Sequence, residues 1–199
     1  MKNKNLPNQL TIFRIILSIV IIILLLFPFD MINVSFPKYL VDNTIILDLR
    51  YMICGVIFVI ASITDSLDGY IARKYDLVTD KGKVLDAIAD KILVNSILII
   101  LCSKGDINAI VPVVIILRDT IVNTIKMIAG QNGNVVAAIK TGKFKTAFLM
   151  IGITLKLFGN FPGGLYNLKL DDFFLITATV LCLISGFEYY KIYRKYIKN

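Results

Sequence analysis

Four aspartates stand in two pairs: Asp65 and Asp68, three residues apart, and Asp86 and Asp90, four apart. On helices, both spacings put the two carboxylates of a pair on one face. Gly82 precedes Asp86 by four residues and extends the same stripe. Two adjacent helices then point four carboxylates into one pocket. Such a group repels itself, and without compensation some of its members must take up protons. Two divalent cations neutralise it, and hard oxygen ligands suit Mg²⁺ or Mn²⁺. Two such ions a few ångströms apart stabilise the attacking and leaving oxygens in displacement at phosphorus. Gly69, Ala72 and Gly82 have almost no side chain, which leaves room for a bulky ligand such as a nucleotide against the helices.

The composition narrows the chemistry further. Among 199 residues there is no histidine, so imidazole is excluded as base, nucleophile or metal ligand. That work falls to Asp, Glu, Lys, Tyr or backbone groups. Cys54, Cys102 and Cys182 lie far apart inside apolar runs; they show neither zinc spacing nor a disulfide framework and read as packing residues. Hydrophobic residues make up 57% of the chain and the mean hydropathy is +0.76, more than a soluble domain of this size can bury. The excess apolar surface is expected to face lipid. A net charge of +8 suits nucleic acid or anionic headgroups. Because the basic residues flank apolar runs and form no separate arm, membrane lipid is the expected partner and nucleic acid is not.

The elements that must position the aspartates are six apolar runs, at residues 10–29, 49–63, 92–102, 107–129, 147–158 and 173–187. Several are shorter than the ~20 residues that cross the hydrocarbon core, but each extends through flanking small or amphipathic residues. The reading is an all-α, polytopic membrane protein with six transmembrane helices in one domain, residues 1–199. No small-residue cleavage site follows Phe29, so the first run is expected to remain as a span. Lys and Arg alternate between loops: Lys2, Lys4 and Arg14 at the start, Arg73, Lys74, Lys81 and Lys83 after the second run, Lys140, Lys143 and Lys145 after the fourth, and Lys191, Arg194, Lys195 and Lys198 at the end. The intervening loops carry only Lys38 and Arg50, then Lys104, then Lys169. The positive-inside bias therefore places both termini and the aspartate pairs on the cytoplasmic side of a multi-pass protein of the cell membrane.

Asp65, Asp68, Gly69, Ala72, Arg73, Gly82, Asp86 and Asp90 occupy all eight specified positions of the pattern D-x₂-D-G-x₂-A-R-x₈-G-x₃-D-x₃-D. In this the chain resembles the CDP-alcohol phosphatidyltransferase family. The resemblance implies six transmembrane helices, two divalent ions and, often, a homodimer. It implies that Asp65, Asp68 and Asp86 ligate metal, that Asp90 ligates metal or acts as the base on the acceptor hydroxyl, and that Gly69, Ala72, Arg73 and Gly82 line the site for the CDP moiety. Phosphatidyl transfer by the phospholipase D route is excluded, since that chemistry depends on histidine.

Over nearly its whole length the chain is similar to the branch of that family whose acceptor is sn-glycerol 3-phosphate. The similarity rests on residues 5–14, on Leu85-Asp86 and Ala89-Asp90-Lys91, on Arg118, and on Gly142-Lys143-Phe144-Lys145-Thr146. Ala87 departs from that branch, which usually has proline there, Asp119 stands where glutamate is common, and Lys126 where arginine is common. The resemblance implies CDP-diacylglycerol as donor. Arg118, Lys126, Lys140, Lys143 and Lys145 are candidates to hold the acceptor phosphate. An ionisable residue as deep in an apolar run as Arg118 is usually functional, and Asp119 is a competing structural partner for it. Asn8 and Thr11 read as helix caps or ligands, Arg14 as a site residue or an interfacial anchor, and Tyr189, Tyr190 and Tyr193 as an interfacial belt. Two alternatives stay open: another acceptor, such as inositol phosphate, a different alcohol or a phospholipid; or a cation transporter using the aspartates. A transporter site is expected near the bilayer midplane, whereas these residues fall beside the basic loop.

Overall fold

The computed structural model of the chain describes residues 6–41, 45–75, 80–131 and 139–197. Six helices dominate: α1 (Leu6–Leu26), α2 (Leu49–Lys74), α3 (Asp80–Ser103), α4 (Ile110–Gln131), α5 (Lys140–Leu157) and α6 (Leu170–Ile197). Each overlaps one of the six apolar runs, and α2, α3, α5 and α6 continue well past them into polar sequence. Those continuations carry the aspartates and the basic residues. Among the described residues, three stretches are long and apolar enough to cross a membrane by length and composition: Asn8–Leu26, Leu49–Gly69 and Leu170–Arg194. Of the other helices, α3 carries Asp86, Asp90 and Lys91, α4 carries Arg118, Asp119 and Lys126, and α5 carries Lys143, Lys145 and Lys156.

Each helix keeps a buried stripe at helical spacing. On α1 it is Thr11, Arg14, Ser18, Ile21 and Leu25, while Ile12, Ile16, Ile19 and Ile23 are exposed on other faces. On α2, Cys54, Phe58 and Ala61 lead into Asp68, with Val56, Ile60, Ile63 and Leu67 outside. On α3 the stripe runs Ala89, Leu93, Ile97 and Leu101. The exposed aliphatic faces are what a helical protein presents to lipid, where burying apolar surface gives no driving force between helices and close packing must supply it. Two glycines permit that approach. A Cβ at Gly55 would stand 2.7 Å from the Phe158 ring, and one at Gly152 would stand 2.9 Å from the Leu175 side chain. α1 packs against α2 and α3, α6 against α4 and α5, and lighter α2–α5 and α3–α4 contacts join the two groups.

One element was not expected. Between α1 and α2, β1 (Lys38–Val41) and β2 (Ile45–Asp48) form a two-stranded antiparallel sheet that pairs Lys38 with Asp48 and Val41 with Ile45. It lies at the end of the bundle where Arg50 donates to the carbonyls of Leu24, Leu25 (2.9 Å) and Phe27 (2.8 Å) at the close of α1. Tyr51 bonds Asp106 (2.7 Å) and Lys156 pairs with Asp171 (2.8 Å) at that same end. The start of α1, the ends of α2, α4 and α6, and the starts of α3 and α5 all meet at the opposite end.

Candidate active site

The centre of that opposite end is Arg14, whose side chain is wholly buried. Its Nη1 pairs with Asp65 and, at 2.8 Å, with Asp86; its Nη2 pairs with Asp68. Thr11, one turn earlier on α1, donates to Asp68 Oδ2 at 3.5 Å. Ser18, one turn later, donates to the Arg14 carbonyl at 2.8 Å. Asp65 and Asp68 prolong the buried stripe of α2, and Asp86 lies one turn before Ala89 on that of α3. The packing that buries the core thus also brings the carboxylates together. Side-chain exposures of 5% for Asp68, 37% for Asp65 and 51% for Asp86 make Asp68 the floor of the site and the other two its rim.

Asp65, Asp68 and Asp86 each offer a carboxylate oxygen, and these oxygens lie within 4.8 Å of one another. Three hard oxygen donors at this spacing fit Mg²⁺ or Mn²⁺. One guanidinium offsets one of their three charges, so the group still attracts cations. Asp90 is not among the three. One turn further along α3, it lines a neighbouring cavity of about 230 Å³. Asp90 shares a helix face with Asp86, lies within electrostatic reach of Asp65 and Asp86, and so stands between the carboxylate group and this cavity.

The second space is strongly basic: Lys91, Arg118, Lys126, Lys143 and Lys145 line it, against Asp90 and Asp119. Arg118 donates to Asp119 (2.8 Å) and to Ser185 on α6 (2.7 Å). Lys145, also buried, donates to both Asp119 oxygens at 3.0 and 2.9 Å. Among the described residues, Arg118 Nε is buried with no hydrogen-bond partner. An unpaired buried donor is costly, and here it belongs to a guanidinium on a cavity wall. Tyr189 is 3% exposed and lies beneath two cations, 5.4 Å from the Arg118 guanidinium and 5.1 Å from Lys126 Nζ, within cation–π range. The Ile139 N–H donates to its hydroxyl at 3.3 Å.

Of the residues singled out in the sequence, the structure gathers Asp65, Asp68 and Asp86 in one group and Asp90, Arg118, Lys126, Lys143 and Lys145 around the other. Lys140 is exposed at the first turn of α5 and is not among the residues that line the cavity. Gly69 and Gly82 are half-buried near the ends of α2 and α3 that hold the aspartates; Ala72 and Arg73 follow on α2, their side chains outside the described residues. Tyr189 is a correction: it belongs to the cavity wall and not to an interfacial belt. Arg14 is buried among the carboxylates of Asp65, Asp68 and Asp86. Asp119 does pair with Arg118, and it holds Lys145 as well. Ser185 was not foreseen.

A helical bundle with exposed aliphatic faces thus sets a carboxylate group beside a basic cavity. The sequence model of the CDP-alcohol phosphatidyltransferase family matches residues 4–186, and the chain belongs to that family. The CDP-diacylglycerol–glycerol-3-phosphate 3-phosphatidyltransferase of Bacillus subtilis (strain 168) is 38% identical over 186 residues, 94% of this chain and 93% of its own. The protein of the same name from Rickettsia felis (strain ATCC VR-1525 / URRWXCal2) is 33% identical over 195 residues, 98% of each chain. That from Mycoplasma pneumoniae (strain ATCC 29342 / M129 / Subtype 1) is 37% identical over 155 residues, 78% of this chain and 68% of its own.

Proposed function

We propose that this chain transfers the phosphatidyl group of CDP-diacylglycerol to sn-glycerol 3-phosphate, giving phosphatidylglycerophosphate and CMP. The observation that carries the reading is α3, which places Asp86 in the carboxylate group and Asp90, one turn on, in the basic cavity. A donor diphosphate and an acceptor phosphate therefore have separate sites that meet at one helix.

The nucleotide lipid lies with its cytidine between α2 and α3, against Gly69, Ala72 and Gly82. Asp65, Asp68 and Asp86 would hold two divalent ions, Mg²⁺ or Mn²⁺, whose charge would offset that of the diphosphate. Arg118, Lys126, Lys143 and Lys145 take the phosphate of sn-glycerol 3-phosphate and leave its primary hydroxyl towards Asp90. Asp90 removes the hydroxyl proton as the oxygen attacks the phosphorus that bears diacylglycerol. The bond from that phosphorus to the CMP oxygen breaks, and CMP departs with Arg73 beside it. The site works by positioning and electrostatics, as is usual for displacement at phosphorus.

The protein is a single domain of six spans with the site and both termini facing the cytoplasm, and it acts as a homodimer. Support for the orientation comes from the Lys and Arg bias between loops and from the meeting of site residues at one end of the bundle; support for the homodimer comes from the family. The test is a purified preparation supplied with CDP-diacylglycerol and sn-glycerol 3-phosphate. Phosphatidyl lipid and CMP are expected in equal amounts with Mg²⁺ or Mn²⁺ present, and neither with a chelator. CMP release without a new lipid would reject transfer.

A further inference from the structure

We propose that Arg14 is a positioning residue of the carboxylate centre: a fixed internal cation on α1 that gathers Asp65 and Asp68 of α2 and Asp86 of α3, and so tempers how tightly that group holds a divalent ion. The inference rests on the metal reading above. Its first support is burial. A wholly buried guanidinium in a membrane helix is stable only when paired, and its partners here are three carboxylates from two other helices. The second is shape. Nη1 spans Asp65 and Asp86, which α2 and α3 supply separately, while Nη2 takes Asp68. A planar fork can do this, and a point charge such as lysine cannot do it as well. The third is anchorage, since Thr11, one turn before Arg14, reaches the same Asp68 oxygen as Nη2, so two polar positions of α1 serve one centre.

Charge decides the direction of the effect. With Arg14 the group has one positive charge against three negative; without it the three carboxylates repel one another and draw a divalent ion more strongly. In Arg14→Gln the ion must therefore take over the gathering that arginine performs. Without divalent ions, this variant should melt at least ~6 °C below the wild type, as expected when a buried ion pair loses one partner. Added Mn²⁺ should raise its melting temperature by more than it raises that of the wild type. By electron paramagnetic resonance of free Mn²⁺, the variant should bind the ion at least about tenfold more tightly, since an adjacent unit charge at protein dielectric exceeds that factor. Turnover should fall, because an ion held this way is no longer placed by the protein. A change that merely loosened the fold would weaken Mn²⁺ binding.

Arg14→Lys keeps the charge and should stay within about threefold of wild-type Mn²⁺ affinity, with partial recovery of turnover. It supplies the comparison should Arg14→Gln fail to fold: a lysine variant that folds yet binds Mn²⁺ ten times more weakly than the wild type would overturn the proposal. So would an Arg14→Gln protein with unchanged or weaker Mn²⁺ binding. A wild type that binds no Mn²⁺ would sink the metal reading itself, which separates the two failures.

Discussion

Replacing Arg118 by alanine separates a phosphate-binding arginine from a structural one. In the structure its guanidinium donates to Asp119 at 2.8 Å and to Ser185 at 2.7 Å, lies over the Tyr189 ring, and keeps a buried Nε–H with no partner among the described residues. Among the described residues, two of its five N–H groups are thus bonded to protein, which leaves donors for a phosphate. A hydrogen bond to a charged group contributes about 1.5–3 kcal/mol, or roughly 10- to 150-fold in an equilibrium constant. A neutral truncation leaves Asp119 paired with Lys145, whose ammonium reaches both of its oxygens, so the fold is expected to survive. The assay is steady-state kinetics on purified protein, with each substrate varied in turn. The KM for sn-glycerol 3-phosphate should rise by that factor while the KM for CDP-diacylglycerol changes by less than about threefold. If both constants rise alike and folded yield drops, Arg118 is a structural ion-pair member and the phosphate-pocket assignment is wrong.

Three further outcomes are expected. Asp86→Asn and Asp90→Asn should each lower turnover by about 10²–10⁴-fold with the fold intact, and Asp86→Asn alone should also lose Mn²⁺ binding; near-normal turnover in a folded Asp86→Asn protein would remove the metal-site reading. On a background lacking Cys54, Cys102 and Cys182, a cysteine at Lys140 should react with an impermeant reagent only after the membrane is opened, whereas one at Tyr166, which is 75% exposed, should react in intact cells; the reverse pattern would invert the topology. Gly152→Val should cost about 1–3 kcal/mol by overpacking, because a Cβ there meets the Leu175 side chain at 2.9 Å and its backbone nitrogen at 3.1 Å; an unchanged melting temperature would refute the close α5–α6 contact.

The helices and the aspartate pairs were legible because both are periodic. Asp65 and Asp68 continue an apolar stripe of α2, so the spacing that defines the core also aims the carboxylates. The basic neighbours of Asp90 were not legible: a face shared with Asp86 says nothing of which other helices each carboxylate meets, and here Asp86 pairs with Arg14 while Asp90 also lines the basic cavity. Arg14 itself was ambiguous because its partners lie more than fifty positions away in the chain. The signal available was its place in a polar run, Thr11, Arg14 and Ser18, at helical spacing on an otherwise apolar helix. Tyr189 was misplaced because tyrosines at a helix end suit an interface equally well, and only the rotation of α6 turns this one inward. The hairpin at Lys38–Asp48 was read as a connection, since strands of four residues leave little periodicity to detect.

The central claim concerns the acceptor, and one experiment addresses it. Purified protein in mixed micelles with CDP-diacylglycerol and Mg²⁺ or Mn²⁺ is offered radiolabelled sn-glycerol 3-phosphate, inositol phosphate, unphosphorylated glycerol or a phospholipid alcohol in parallel, and labelled lipid is measured against CMP. The account predicts labelled phosphatidylglycerophosphate matched one-to-one by CMP with sn-glycerol 3-phosphate, and far less product from the others. Equal or faster transfer to an acceptor without a phosphate would contradict it, because the cavity formed by Arg118, Lys126, Lys143 and Lys145 would then have no phosphate to hold.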